Sequence, residues 1–281
     1  SGAKSEVSQL KAAVFCNRTR ITSVTLDLLT REIESHGLGV HYCVDGSPCQ
    51  VEDATVIITF GGDGTVLKAV PTAYTRDLPI MSFRVGSVGF LASFEISMLH
   101  AVLDLFLQNA LQSSERALMK VSFKDEVHYS LNDFVIERSS PSRTVTFTVS
   151  IDGQSSYPVV GDGIIFSTNT GSTAYSMAAG GALVDPEAHC FQITPICPHN
   201  PFVGSLVLSS SRRIRLEVAQ DKGFPMETYV DGIFSGKLSK GDTVEVQMSK
   251  KKVRLLREGN MDFVALLKKK LAFGGRLKDD I

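Results

Sequence analysis

No two cysteines of the chain are spaced C-x-x-C, and the five present, Cys16, Cys43, Cys49, Cys190 and Cys197, are odd in number. A zinc site or a disulfide framework is therefore not expected, and a reducing compartment fits the count. No run approaches the ~20 apolar residues of a membrane span. The N-terminal residues show no signal-peptide pattern, so the reading is a cytoplasmic protein with no membrane partner. An excess of charge is also missing. With 29 Lys and Arg against 30 Asp and Glu the formal net charge is -1, which argues against a nucleic acid as the main partner. G-x-x-x-x-G-K-[ST] does not occur and no G-x-G-x-x-G follows the first apolar run, which excludes a P-loop and disfavours a conventional dinucleotide fingerprint.

What is present is enough apolar residue, 43% of 281, for one large core or two moderate ones. Leu10 to Cys16 reads as a first strand, followed by a helix with Ile21, Val24 and Leu28 on one face. Gly37 and Gly39 break it, and strands follow at Val40 to Val44, Ala54 to Phe60 and Leu78 to Phe83. Such alternation predicts a parallel sheet covered by helices, with ligands beyond the carboxyl ends of the strands. A helix from Glu95 to Leu111, striped with Leu99, Val102, Leu103, Phe106 and Leu107, closes this part.

From Ser113 the rhythm changes to glycine-bounded β-runs. Strands are predicted at Ala117 to Phe123, Val127 to Arg138, Thr144 to Ile151, Gly163 to Ser167, Phe191 to Pro195, Leu206 to Ser209, Arg213 to Ala219, Thr228 to Val230, Thr243 to Gln247 and Lys252 to Arg257. Ser172 to Gly180 suits a short helix, and Asp262 to Leu271 a final amphipathic one. The Lys250 to Lys252 and Lys268 to Lys270 runs read as solvated faces.

The strand at Ala54 breaks into Gly61-Gly62-Asp63-Gly64-Thr65. Three glycines let backbone amides approach a ligand, and a helix starting here would turn its N-terminus toward an anion. A loop built only for phosphate has no use for Asp63, unless the carboxylate holds a metal, a hydroxyl or a proton. The same residues could make a tight turn with Asp63 as N-cap, and spacing alone leaves both open. Leu131-Asn132-Asp133 sets an amide and a carboxylate within an apolar run, where both need partners. A sugar diol or a base edge would satisfy them; a strand-end Asx pair is the alternative. Gly161-Asp162-Gly163 repeats the glycine-flanked carboxylate, and Thr170-Gly171-Ser172-Thr173-Ala174-Tyr175-Ser176 gathers hydroxyls and small residues, as a capped helix start also would. Tyr229-Val230-Asp231-Gly232 is most simply a hairpin turn, and Thr194-Pro195-Ile196-Cys197-Pro198-His199 a proline-ended strand.

Taken in this order, with Gly86-Ser87-Val88-Gly89-Phe90-Leu91 and Ala179-Gly180-Gly181, these elements resemble the NAD kinase family, ATP- or polyphosphate-dependent, from about Leu10 to Arg257. The Gly-Gly-Asp-Gly element alone is shared with lipid kinases and phosphofructokinases. The resemblance implies an α/β domain with a parallel sheet over residues 1–113, a β-rich, sandwich-like domain over 114–258, and a C-terminal segment, 259–281, returning to the first domain. It implies transfer of the γ-phosphoryl group of ATP or polyphosphate to the 2′-hydroxyl of the adenosine ribose of NAD, with Mg²⁺ or another divalent metal arriving on the donor phosphates. Asp63 would be general base or hydroxyl-orienting group. Gly61, Gly62, Gly64 and Thr65 would contact donor phosphate, and Asp63, Gly64, Phe90, Asn132, Asp133, Arg143, Asp162, Thr173, Ala174, Tyr175, Ser176, Ala178 and Cys197 would contact NAD. A homodimer or homotetramer is likewise implied. Asp133 stands where many members have Glu, and Asn169 replaces a common proline, a change expected to loosen the turn. Two rival readings are a lipid or sugar kinase and a non-catalytic dinucleotide sensor.

Overall fold

The computed structural model describes residues 10–44, 49–86, 89–141, 143–199, 203–260 and 262–273. The chain divides into two compact units, Ser1–Glu115 with Val253–Ile281, and Arg116–Lys252.

In the first unit the elements are β1 (Lys11–Cys16), α1 (Ser23–Ser35), β2 (Gly39–Tyr42), β3 (Ala54–Gly61), α2 (Asp63–Arg76), β4 (Ile80–Arg84), the short β5 (Phe94–Glu95) and α3 (Leu99–Leu107). All the pairings among these strands are parallel, in the order β5, β4, β3, β1, β2. A parallel sheet is covered on both faces, which is why β3 reads as an unbroken apolar run and is buried from Val56 to Gly61. The strand ends converge: the amide of Asn17 donates to the Phe60 carbonyl at 2.9 Å and that of Val85 to the Gly61 carbonyl at 3.1 Å.

The face of α1 differs from the expected one. Thr22 caps the helix through its hydroxyl, and Leu29 and Ile33 are the buried residues, while Val24 and Leu28 are 68% and 59% exposed. Adjacent positions such as 28 and 29 lie about 100° apart on a helix, so a one-residue error in the buried stripe exchanges core for surface. The helix expected over 95–111 is also shorter, because Phe94 and Glu95 extend the sheet and Ile96–Met98 form a 3₁₀ turn before α3. The absence of a disulfide is overturned as well. Cys43 and Cys49 are bonded, with Cα atoms 5.4 Å apart, and Cys49 is pinned to α2 by its amide on the Thr72 hydroxyl and by Arg76 on its carbonyl.

The second unit holds most of β6 (Gln112–Phe123, which enters it at Arg116), β7 (Glu126–Ser130), β8 (Asp133–Arg138), β9 (Val145–Ile151), β10 (Ser155–Gly161), β11 (Gly163–Thr168), α4 (Tyr175–Ala178), β12 (Cys190–Ile196), β13 (Leu206–Ser209), β14 (Arg213–Gln220), β15 (Met226–Val230) and β16 (Ile233–Leu238). The single strand β17 (Thr243–Arg257) replaces the two expected there. One antiparallel sheet runs β13, β12, β11, β8, β15, β16, and strands β10, β9, β14 and β17 pair antiparallel in that order. Phe134, Ile136, Phe147, Phe166, Leu216 and Val244 interlock in one core. Strands β10 and β16 were not expected; each lies at a sheet edge, and β10 carries Pro158, which only an edge tolerates. The last described helix, α5 (Phe263–Leu271), belongs to the first unit and is capped by the Asp262 carboxylate on the Ala265 amide. Among the described residues no helix is long and apolar enough to cross a membrane.

The corrected face of α1 is testable by denaturant unfolding. Ile33→Ala, at a fully buried site, is expected to cost about 2–5 kcal/mol, whereas Leu28→Ala should stay within about 0.5 kcal/mol of the parent. Equal losses would restore the original stripe.

Candidate functional site

Asp63 does not cap α2. The N-cap is Gly62, which makes no side-chain cap bond, and the Asp63 carboxylate turns away to take a run of three amides. Its Oδ2 accepts from Phe90 at 2.8 Å, and its Oδ1 accepts from Leu91 at 2.9 Å and Ala92 at 3.2 Å. Lys270, on α5, supplies a fourth donor at 3.4 Å from Oδ2, and its ammonium sits 4.2 Å from the centre of the Phe90 ring. The Lys268 to Lys270 run is therefore not simply a solvated face.

Two glycines allow this arrangement. A Cβ on Gly89 would fall 2.1 Å from Asp63 Oδ1, and one on Gly61 would fall 2.1 Å from the Thr65 hydroxyl. Ser87 and Val88 of the same loop lie outside the described residues. Around Asp63 is a cavity of about 420 Å³ lined by Arg20, Gly62, Gly64, Thr65, Lys68 and Lys270 among others. Three basic side chains and one carboxylate line it, and the first turn of α2 leaves its leading amides without intrahelical partners. Both features suit a phosphate chain.

The second unit presents a separate cluster. Asn132 and Asp133 do not lie inside a strand: the expected run over 127–138 breaks after Ser130, and Asp133 opens β8. The corner is held from the β15–β16 hairpin, where Asp231 Oδ2 accepts from the Leu131 amide at 2.8 Å and Oδ1 accepts from Asn132 at 2.7 Å and Asp133 at 3.1 Å. Asp231 and Gly232 both have positive φ, 48° and 78°, the conformation a two-residue hairpin turn demands. Behind the corner, Thr168 donates its hydroxyl to the Leu131 carbonyl and its amide to that of Asn132. A Cβ on Gly171 would overlap the Asn132 carbonyl.

Strand alternation then sorts β8. Phe134 and Ile136 enter the core, so Asp133, Val135 and Glu137 share the other face, the two carboxylates separated by roughly 13 Å of strand. Tyr175 runs along that face, with its amide bonded to Asp133 and its side chain to Glu137. Burial, reinforced by the charge of Asp231, pushes the Asp133 carboxyl up to about 7. Burial raises Asp231 to about 6 against the opposing pull of its three amides. Glu137 is raised too, first by burial and then by Glu227, its direct cross-strand neighbour.

Asp162 pairs with Arg138 at 2.9 Å, and its amide donates to the carbonyl of Ile196, next to Cys197. Cys197 is exposed with φ 44°. Arg143 is exposed, and its carbonyl accepts from Arg138. Thr173 and Ala174 lead into α4, which runs through Ser176 to Ala178. The Ser176 hydroxyl lies 2.9 Å from that of Thr194. Asn169 does not loosen its turn: its Oδ1 accepts from the Thr170 amide and its Nδ2 donates to the carbonyls of Pro186 and Ala188. The Thr170 hydroxyl is buried with no partner among the described residues.

Two family models match the chain: the ATP-NAD kinase N-terminal domain over residues 15–111 and the ATP-NAD kinase C-terminal domain over 131–258. An NAD kinase from Lachnoclostridium phytofermentans is 33% identical, covering 92% of this chain and 98% of the relative, and one from Methanothermobacter thermautotrophicus is 32% identical over 96% and 92%. This chain belongs to the NAD kinase family. Among solved structures, yeast NADH kinase complexed with NADH shares the fold at TM-score 0.86 and 20% identity, covering 98% of this chain and 91% of that one. An NAD kinase from Archaeoglobus fulgidus in complex with ATP aligns at TM-score 0.77 and 22% identity, over 94% and 100%.

For an NAD kinase family member, the residues read from the sequence fall into one group in each unit. The first holds Gly61 to Thr65 and Phe90; the second holds Asn132, Asp133, Asp162, Arg143, Thr173 to Ser176, Ala178 and Cys197. Sequence reasoning missed Lys270, Glu137 and Asp231. A signal existed for Glu137, which stands four residues after Asp133 and so shares its face in any strand. No local signal marks the other two, whose partners lie 207 and about a hundred residues away.

A carboxyl raised to about 7 in the fold and ordinary, near 4, when unfolded keeps a proton that unfolding releases. Its stabilisation is present at low pH and is lost as pH rises from about 4 through about 7, at up to ~1.4 kcal/mol per pH unit. Asp133→Asn should therefore gain on the parent in urea unfolding between pH 5 and pH 8. An unchanged difference at the two pH values would show that Asp133 does not carry this proton.

Proposed function

We propose that the protein transfers the γ-phosphoryl group of ATP to the 2′-hydroxyl of the adenosine ribose of NAD, giving NADP. The observation that carries this reading is the cavity at Asp63, where one carboxylate held by three amides is ringed by Arg20, Lys68 and Lys270 at the N-terminus of α2. Basic side chains and helix amides neutralise phosphate, and a fixed carboxylate orients a hydroxyl.

Roles follow residue by residue. Gly61, Gly62, Gly64 and Thr65 would contact donor phosphate, and Phe90 would border the adenine. Asn132 and Asp133 would hold a nucleoside hydroxyl pair, with Thr173, Ala174, Tyr175, Ser176 and Ala178 on the adenine side and Asp162 and Cys197 at the nicotinamide end. Arg143 would reach a diphosphate. The four acceptor positions of Asp63 are engaged by three amides and Lys270, so a substrate hydroxyl must displace a partner. Lys270 is the one on a movable side chain. We assign Asp63 to orientation of that hydroxyl, beside a neutralised phosphate, rather than to an unassisted base.

The side chains on the cavity do not build a cation cage, since their one carboxylate is so engaged. They suit a divalent ion such as Mg²⁺ that arrives on the phosphates of ATP, where it would neutralise developing charge. Use of polyphosphate as donor, a homodimer or homotetramer, and a cytoplasmic location belong to the same proposal.

The test is production of NADP from NAD, ATP and Mg²⁺ by the purified full chain, read by an NADP-specific dehydrogenase. Asp63→Asn is expected to lose at least about a hundredfold in kcat, and Gly89→Ala to lose kcat by pushing the carboxylate aside. No NADP from the parent protein would sink the proposal; NAD binding without turnover would point to a sensor, and phosphorylation of a lipid or sugar instead would point to the other rival.

A further inference from the structure

Two helices of the first unit bring together a second set of chemically competent side chains. On α1 and its C-cap, Glu32 and His36 are spaced four residues apart; on α3, so are His100 and Asp104. Residues at this spacing share a helix face, and here the two faces meet. The two imidazoles lie edge to face with ring centres 4.9 Å apart. One donor atom from each of Glu32, His36 and His100 lies within 4.8 Å of the other two.

Each ring is bracketed by the same two carboxylates. Glu32 Oε1 is 2.7 Å from His100 Nδ1 and 3.6 Å from His36 Nδ1. Asp104 lies on the far side of both, 3.5 Å from His36 Nε2 and 3.6 Å from His100 Nε2. The His36 side chain is only 8% exposed, whereas His100 is 72% exposed and leaves a path from solvent.

We propose that Glu32, His36 and His100 form a binding site for a borderline transition-metal ion of the Zn²⁺ class, with Asp104 holding the far nitrogens of both imidazoles. Two imidazoles and a carboxylate are a donor set that such ions favour over Mg²⁺ or Ca²⁺. Zinc binds nitrogen and oxygen at about 2.0–2.2 Å, so neighbouring donors in a tetrahedron stand roughly 3.3 Å apart. The distances of 2.7 and 3.6 Å around Glu32 bracket that value. A carboxylate on the outer nitrogen of a ligating histidine fixes its tautomer and raises its basicity, which is the position Asp104 occupies twice.

Charge fits as well. Glu32 and Asp104 carry two negative charges, which one divalent ion over neutral rings would balance. His36 Nδ1 lies 2.8 Å from the backbone carbonyl oxygen of Glu32. With the ion on Nδ1, the outer Nε2 of the ring faces Asp104. Three protein ligands leave a fourth position for water, on the exposed side of His100. The odd cysteine number and the lack of a C-x-x-C pair, which argued against zinc, concern thiolate sites and do not bear on this one.

The experiment uses the full chain, free of any histidine tag and stripped with chelator, titrated with Zn²⁺ by calorimetry and with Co²⁺ by visible absorbance. One equivalent of Zn²⁺ should bind with proton release, Co²⁺ should give the d–d bands of a low-coordinate nitrogen and oxygen site, and the melting temperature should rise with Zn²⁺. His100→Gln, at an exposed position that leaves the core intact, should weaken binding by more than about tenfold, and Asp104→Asn by about 10- to 100-fold. No saturable uptake, binding unaffected by His100→Gln, or a thiolate-to-cobalt charge-transfer band placing the ion on cysteine would overturn the proposal.

Discussion

The bond on which the first unit's candidate site depends is that of the Asp63 carboxylate to the successive amides of Phe90, Leu91 and Ala92. It ties the loop after β4 to the start of α2 and sets where the carboxylate faces. The second unit uses the same device, with Asp231 accepting from Leu131, Asn132 and Asp133. In both cases an aspartate followed by glycine leaves its own turn to hold a run of backbone amides elsewhere. Charge-assisted bonds of this kind are shorter and stronger than neutral ones. They hold a run of backbone amides in place without adding a hydrophobic contact. A glycine opposite is the second requirement in the first unit, since a Cβ on Gly89 would occupy the place of Asp63 Oδ1.

Local pattern made much of this visible. The apolar run of β3, the three glycines around Asp63 and the switch to β-runs after Ser113 each follow from chemistry within a few residues. What stayed hidden depends on partners far along the chain. Asp231 reads as a turn residue because it is one; its second task appears only once the Leu131 corner is beside it. Lys270 reads as part of a solvated basic run until α5 places it over Phe90. The alternation in β8 was legible, but its break after Ser130 was not, because Leu131 continues the apolar character while the backbone turns. Strands β10 and β16 escaped for a related reason: an edge strand buries less, so Ser155 to Gly161 keeps polar residues and a proline that a central strand would exclude.

Asn169 shows how a departure from a family pattern can be neutral in structure. Proline restricts a turn through its ring, lowering the entropy of the unfolded chain. Asparagine instead supplies three hydrogen bonds in the folded state, to Thr170, Pro186 and Ala188, each worth roughly 1 kcal/mol. The two routes act on opposite sides of the folding equilibrium.

The two candidate surfaces differ in sign, and that difference bears on the proposed substrates. The cavity in the first unit is lined by Arg20, Lys68 and Lys270 around a single carboxylate. One face of the second unit sets Asp133 and Glu137 along β8, bridged by Tyr175, with Glu227 beside Glu137 on β15. A polyphosphate suits the first surface better than the second, whereas hydroxyl pairs suit the carboxylates of the second. Burial also raises the Asp133 carboxyl to about 7, so near neutral pH it can either donate to or accept from a neighbouring hydroxyl. A glutamate reaching one methylene further would meet water more readily and ionise. The shorter Asp133, held inside the corner by Asp231 and Thr168, gives up reach for a proton it can share.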